Sequence, residues 1–243
     1  MSAKLNFGSL LFLSVGLALV VQCFAAVNEM DSNFDGKVDQ WQYLSAEGKV
    51  VKIEHDGNFD GKVDQVEYFE GDKKLIRVEF DKNNDGSMDH FQYYNSNGNI
   101  KRIEKSTKMD GTIDSREVFG TDKKLDRVEF DDNGDGKFES IQFYNDQEKL
   151  IRLEIDQNGD GGVDRWSYFK NNRLNGTAFD TSGNGRPDQW QFYEADGETL
   201  KKVEYDTNSD GKADKWERFS GGKLSKIEVD RNFDGKVDLT QNK

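Results

Sequence analysis

Nine copies of Asp-x-Asn-x-Asp-Gly-x-x-Asp, or of a near variant, recur along this 243-residue chain at a spacing of about 25 residues. A period that short carries no core of its own. It dictates a stack of like supersecondary units, each stabilised by its neighbours. The copies begin at Asp31, Asp56, Asp81, Ser106, Asp131, Asp156, Asp180 and Asp206, with a partial one at Asp230. They place one repeat domain over residues 27–243.

Each copy sets side-chain oxygens at positions 1, 3 and 5, a glycine at 6 and a further carboxylate at 9. A hard cation such as Ca²⁺ takes roughly six to eight oxygens at about 2.3–2.6 Å, and the glycine gives the sharp turn that lets them converge. The candidate ligands are Asp31, Asn33, Asp35, Asp39; Asp56, Asn58, Asp60, Asp64; Asp81, Asn83, Asp85, Asp89; Asp131, Asn133, Asp135, Glu139; Asp156, Asn158, Asp160, Asp164; Asp180, Ser182, Asn184, Asp188; Asp206, Asn208, Asp210, Asp214; and Asp230, Asn232, Asp234, Asp238. The cofactor expected is therefore several calcium ions. The fourth copy has Ser106 and Lys108 at positions 1 and 3 beside Asp110 and Asp114, and an ammonium there repels a cation. That loop is expected to be empty, and the seventh, with Ser182 and Asn184, to bind weakly. Asp and Asn beside glycine also favour Asx turns without any ion. Turn propensity alone does not call for acids at fixed positions in register, and clustered carboxylates repel unless a cation sits among them.

The formal net charge of −13 and the 24 glycines belong largely to these loops. Such acidity argues against a nucleic-acid partner. About eight divalent ions would add roughly +16 and more than cancel it. Hydrophobic content of 34% and a mean hydropathy of −0.91 lean toward disorder, but 12% aromatics in a strict repeat do not. Folding is expected to depend on stacking and on metal.

Residues 1–26 stand apart. Lys4 precedes an apolar run from Leu10 to Val21, and Cys23-Phe24-Ala25-Ala26 closes it with small residues. This reads as a secretory signal peptide cleaved after Ala25 or Ala26. A membrane span needs about 20 apolar residues, so no transmembrane segment is expected in the mature chain. The location expected is secreted, periplasmic or cell-surface. Lipid anchoring at Cys23 is a minor alternative, since Gln22 stands where such signals carry a small residue. Cys23 is the one cysteine, and a chain cut after it holds no disulfide.

After each loop, segments such as Gln40-Trp41-Gln42-Tyr43 and Gln189-Trp190-Gln191-Phe192 alternate polar with aromatic, as half-buried strands do. Turns rich in Gly, Asn, Asp and Ser follow, as at 45–49, 95–99 and 195–198. Returning strands such as Val51-Lys52-Ile53-Glu54 and Ile76-Arg77-Val78-Glu79 lead into the next loop. The fold class expected is all-β: tandem hairpins in an elongated meander or β-solenoid. With the hairpin centred on its five-residue turn, Trp41 faces Ile53, Val66 faces Val78, Phe91 faces Ile103 and Ile141 faces Leu153. The same register sets Gln42 against Lys52, Glu67 against Arg77 and Glu217 against Lys226, with Phe69–Leu75 and Tyr144–Leu150 at the tips.

The loops resemble the Asp-x-Asp-x-Asp-Gly-x-x-Asp calcium loops of FG-GAP blades and, more loosely, of thrombospondin type 3 repeats. The FG-GAP resemblance implies ligation through positions 1, 3, 5 and 9 with a backbone carbonyl at 7, as at Asp31, Asn33, Asp35 and Asp39. It covers the loop alone, because those blades are longer and thrombospondin repeats carry cysteines absent here. The loop is also EF-hand-like, but position 12, a bidentate glutamate there, varies here among Gln42, Glu67, Gln92, Glu117, Gln142, Ser167, Gln191 and Glu217. The hairpin half from Tyr193 to Asp206 is similar to the YD repeats of RHS-type shells.

His55 and His90, the two histidines, occupy different repeat positions with no nucleophile beside them, and no enzyme is expected. Glu54, Glu79, Glu104, Glu129, Glu154, Glu204 and Glu228 fall two residues before a loop, where they serve ion pairs or add an oxygen behind the metal. Trp41, Trp166, Trp190 and Trp216 share one repeat position, fit for packing or, if exposed, for stacking on sugars. The sequence thus describes a secreted calcium-binding repeat scaffold, with a cell-surface polysaccharide-binding module as the alternative. Partners beyond calcium are a cell-surface protein or polysaccharide.

Overall fold

The computed structural model describes residues 25–243 except Asp72, so the expected leader lies almost wholly outside the described residues. The described chain is built of eighteen strands and no helix. They are β1 (Ala26–Met30), β2 (Gln40–Leu44), β3 (Val50–His55), β4 (Gln65–Glu70), β5 (Lys74–Phe80), β6 (His90–Tyr94), β7 (Ile100–Lys105), β8 (Ser115–Phe119) and β9 (Leu125–Phe130). They continue as β10 (Ser140–Tyr144), β11 (Leu150–Ile155), β12 (Arg165–Lys170), β13 (Arg173–Phe179), β14 (Gln189–Tyr193), β15 (Leu200–Tyr205), β16 (Lys215–Ser220), β17 (Lys223–Val229) and β18 (Leu239–Asn242). Each pairs antiparallel with its neighbours in the chain, and strand contacts run between consecutive elements alone. The result is an open meander one layer thick. Acidic loops join each odd strand to the next even one and so line one margin of the sheet. The tight turns line the other.

The hairpin register differs from the expected one by a single residue. Trp41 pairs with Glu54, Val66 with Glu79, Phe91 with Glu104 and Ile141 with Glu154. The polar pairs are replaced likewise by Gln42–Ile53, Glu67–Val78 and Glu217–Ile227. A bulge in each hairpin is the cause, as between Tyr43 and Leu44 or Tyr68 and Phe69. Tip pairs outside it, Leu44–Val50, Phe69–Leu75 and Tyr144–Leu150, keep the register set by the turn. Inside the bulge one extra residue on the returning strand shifts everything by one, and in a period-two structure that moves each partner to the other face.

Both faces are therefore mixed. On the first, outgoing strands present rings such as Trp41 and Tyr43, while returning strands present a cation and a glutamate two residues apart. Lys52 meets Glu54 at 2.7 Å, Arg127 meets Glu129 at 2.7 Å and Arg152 meets Glu154 at 3.0 Å. The same cations lie over neighbouring rings: Lys52 Nζ is 3.8 Å from the centre of Tyr43, and the Arg102 guanidinium is 4.0 Å from that of Tyr93. On the second face an aliphatic row, Ile53, Val78, Ile103, Val128, Leu153, Val203 and Ile227, alternates with polar residues. Val66, Val78, Val128, Ala178 and Val203 are the buried apolar side chains. The core is the mat of side chains on the sheet itself.

Candidate metal loops

Each loop is tied to the sheet by its ends. The position-9 amide closes its own loop, as Asp64 N donates to His55 O at 2.8 Å, and the position-1 amide of the next loop donates to the position-9 carbonyl, as Asp81 N does to Asp64 O at 2.8 Å. Consecutive loops are thus joined through the backbone. Within a loop the position-1 carboxylate accepts from the glycine at 6: Gly61 N donates to Asp56 Oδ2 at 2.8 Å and Gly86 N to Asp81 Oδ2 at 2.7 Å. The position-9 carboxylate accepts the first amides of the turn, as from Gly57 N at 2.7 Å and Asn58 N at 2.9 Å to Asp64 Oδ2. Gly61 and Gly86 stand at φ of 89° and 100°, where an L side chain is strained, so glycine at position 6 is required by geometry.

The fold brings two of the expected ligand sets into clusters. Asp56, Asp60 and Asp64, and likewise Asp131, Asp135 and Glu139, offer carboxylate oxygens that all lie within 4.8 Å of one another. One ion with oxygens at about 2.3–2.6 Å spans that separation. The third loop adds a different observation. Asp81 and Asp89 are 4% and 1% exposed, and each keeps a buried Oδ1 without a hydrogen-bond partner. A buried carboxylate oxygen left unsatisfied calls for a partner, an ion or a water. The oxygen-rich, sulfur-free donor set fits a hard divalent cation such as calcium. Asp31, Asp35 and Asp39, the Asp156, Asp206 and Asp230 loops, and the Asp180 loop fold through the same hydrogen bonds. Among the described residues, their carboxylates do not close to the 4.8 Å span of the two triads.

The fourth loop substitutes a hydroxyl for the first carboxylate. Ser106 Oγ accepts from Asp110 N at 3.1 Å, while Thr107 donates through both its amide and its hydroxyl to Asp114 at 2.8 Å. Burial pushes the Asp131 carboxyl up, but the amides of Gly136, Gly134 and Asp135 outweigh it and hold the group below the usual range. Asp39 and Asp180 are lowered through the same balance of burial against loop amides. These carboxylates stay ionised, as ligands must.

Other features were not read from the repeat. Lys62 at position 7 reaches the next loop, its Nζ donating to Asn84 O at 3.3 Å and Asp85 O at 3.4 Å. The basic residues at this position in most copies were the available signal. Position 4 is left-handed throughout, with φ of 63° at both Phe34 and Phe59 and 59° at Phe233. The glutamates two residues before a loop, Glu54, Glu79, Glu104, Glu129, Glu154, Glu204 and Glu228, lie on the first face in ion pairs. The position-12 residues lie within strands, as Gln42 opposite Ile53 does. His90 packs edge-on against Phe80, ring centres 5.6 Å apart, and contacts Gln92 at 3.1 Å.

No protein-family model matches the chain, and no curated protein matches it. Solved structures align at low similarity. The GtfA/B complex bound to UDP and GlcNAc is 18% identical over 50% of this chain and 23% of that one, with a TM-score of 0.23. A porin-like protein from Bacteroides uniformis is 11% identical over 88% and 92% of the two chains, with a TM-score of 0.25. The TcdB2-TccC3-Cdc42 structure is 14% identical over 85% of this chain and 13% of that one, with a TM-score of 0.22. The chain thus spans less than a quarter of the GtfA/B chain, and likenesses this slight transfer neither fold nor chemistry.

Proposed function

We propose that this is a secreted, non-catalytic scaffold whose acidic loops bind calcium and so rigidify the margin where consecutive hairpins meet. The observation that carries the reading is the pair of closed triads, Asp56–Asp60–Asp64 and Asp131–Asp135–Glu139. The unpartnered buried oxygens of Asp81 and Asp89 support it independently. Bound calcium supplies charge neutralisation and a multidentate tie. The chain supplies the rest: Gly61 and its counterparts turn the loop, the amides at positions 2, 5 and 6 orient the carboxylates, and the position-9 carbonyl carries each loop's geometry to the next. Such a repeat array transmits local order to its nearest neighbours.

The test is calorimetric calcium titration of chelator-treated protein, with circular dichroism recorded in parallel. Binding of at least two ions, with higher thermal stability in calcium than in chelator, is expected. An absence of binding heat with melting unchanged by calcium refutes the reading and leaves the loops as Asx turns.

A further inference from the structure

Strands β1 and β18 have one neighbour each, so each turns a row of unpaired backbone amides and carbonyls outward. The two strands hold one charged residue, Glu29, and no proline, so neither edge carries the usual protection against pairing. Their phases in the repeat are complementary. Strand β1 leads into an acidic loop, as returning strands do, and β18 leaves one, as outgoing strands do. With eighteen strands in the meander the two run in opposite directions, so each edge is the half of a hairpin that the other lacks. The register of β2 with β3, in which Gln40 pairs with His55 and Trp41 with Glu54, then sets Leu239 against Met30 and Thr240 against Glu29 of another copy. Met30 and Leu239 are both exposed and become an apolar pair. The amides already point the required way. Asp39 N donates to Met30 O and Lys243 N to Ser225 O, so by alternation Glu29 and Thr240 turn their backbone groups to the open edges.

The loop margin shows the same missing half. At every junction between consecutive loops the position-1 amide donates to the position-9 carbonyl of the loop before, from Asp56 N to Asp39 O at 2.9 Å through to Asp230 N to Asp214 O at 2.8 Å. Among the described residues Asp31 has no loop before it and Asp238 none after it. Side chains repeat the pattern. The position-4 ring seats beside position 8 of the preceding loop, Phe59 in one small cavity with Val38 and Phe233 in another with Ala213. Position 8 is partly buried in each of the first eight loops. At the two ends the same groups stand in water: Phe34 is 91% exposed at φ of 63°, and Val237 is 45% exposed. A large ring that is both backbone-strained and hydrated is costly, and valine set against it offsets part of that cost. Lys236 also stands where Lys62 reaches the carbonyls of the following loop.

We infer that copies of this chain join head to tail, β18 of one pairing with β1 of the next and Val237 of the first seating Phe34 of the second. The sheet and its row of loops then run on unbroken from copy to copy. Like edges do not serve. Two β1 strands, or two β18 strands, pair antiparallel only with the loop margin of one copy beside the turn margin of the other, which leaves Phe34 and Val237 uncovered. The interface is therefore heterologous, and in an open sheet it repeats without closing. The joint rests on backbone pairing and apolar contact, so the inference does not depend on calcium binding.

The experiment is sedimentation velocity of the purified protein over a dilution series, in calcium and in chelator. The sedimentation coefficient is expected to rise with concentration beyond that of a dimer. Glu29→Pro and Thr240→Pro each remove an amide that faces an open edge and no bond within the chain. Each variant alone should keep its melting temperature at high dilution and sediment as a monomer. An equimolar mixture of the two retains one intact pair of edges and should form a one-to-one heterodimer and nothing larger. Phe34→Gly, which relieves strain in the single copy, should weaken association about tenfold or more, the loss of one buried ring, without lowering the melting temperature of the dilute protein. A monomer at every concentration, association that survives in either proline variant, a mixture without heterodimer, or association unchanged in Phe34→Gly overturns the head-to-tail joint.

Discussion

Asp60→Asn separates a metal loop from a bare turn, because the two accounts predict different responses to calcium. The turn itself should survive the change. Asp60 Oδ1 accepts from Lys62 N at 2.9 Å, and in the seventh loop Asn184 Oδ1 accepts from Arg186 N at the same 2.9 Å. Charge is what the substitution removes. Asp60 stands with Asp56 and Asp64 inside a 4.8 Å cluster. Like charges at that separation repel by about 0.9 kcal/mol per pair in water, roughly halved at physiological ionic strength. Relief of two pairs stabilises the chelated protein by about 1 kcal/mol. In calcium the balance changes. A site with Kd of about 10⁻³ to 10⁻⁴ M contributes roughly 0.4–1.4 kcal/mol at 1 mM calcium, and a tenfold weaker site loses most of that. Asp60→Asn should therefore melt about 2–4 °C higher than the parent in chelator and about level with it in calcium. Thermal melts followed by circular dichroism read both values, and titration calorimetry should show one fewer ion or a weakened site. Equal shifts in the two conditions, or no shift in either, refute metal binding at this loop.

Other perturbations test the rest of the framework. Phe34 is 91% exposed at φ of 63°, so Phe34→Gly should raise stability by about 0.5–1 kcal/mol, the left-handed penalty less the entropy of glycine; denaturant midpoints check it. Arg116 bonds Glu104 at 2.9 Å and Glu129 at 2.8 Å, both glutamates nearly buried. Arg116→Ala should cost about 1–3 kcal/mol, and Arg116→Trp, the residue of sister repeats, should recover part of it in the same melts. Burial and the 2.6 Å hydrogen bond to Glu54 push the Tyr43 phenol up to about 12. The unfolded chain loses that proton near pH 10 while the folded chain keeps it, so stability should fall between about pH 10 and 12. Tyr43→Phe should flatten that slope in midpoints measured across the range. Asp39, Asp131 and Asp180 are held below the ordinary carboxylate range; their contribution is full above it and should be lost as the pH drops through it, seen as a fall in melting temperature from pH 5 to pH 3.

How much was legible followed from the range of each interaction. Period-two alternation around Trp41 and Trp190 and the turn residues at 45–49 are local signals, and they gave strands, hairpins and loop positions directly. Register was legible at the tip and lost one residue inward. The bulge between Tyr43 and Leu44 follows from how a five-residue turn meets twisted strands, and no residue type announces it. That slip alone turned the expected aromatic–aliphatic face into the ring, cation and glutamate mat. In the loops, the ligand spacing placed Asp56, Asp60 and Asp64 together, but the same spacing in the Asp206 loop did not close the triad. Closure depends on rotamers and on the hydrogen bonds each carboxylate has already made, which the pattern does not encode.

A repeat supplies its own controls, and departures from it can be sorted by whether packing explains them. The strained phenylalanines at position 4 find an explanation where a loop precedes them. Phe59 shares a small cavity with Val38 and Asp39 of the preceding loop, and Phe233 shares one with Ala213 and Trp216. In the fifth, sixth and seventh copies glycine takes the same backbone position, at Gly134, Gly159 and Gly183, so at the phenylalanines strain is exchanged for contact between loops. Ser106 is explained locally as well, since its hydroxyl accepts the amide the missing carboxylate would have taken. Gly176 and Ala178 find a local account too: a Cβ at 176 would stand 3.1 Å from Gln191 O of the neighbouring strand, and Ala178, 1% exposed, is a site where an unpaired carboxylate would be costly. With no room for a cation at 176, a glutamate at 178 would lack the partner it has in the other returning strands, so β13 gives up both members of the pair through one steric constraint.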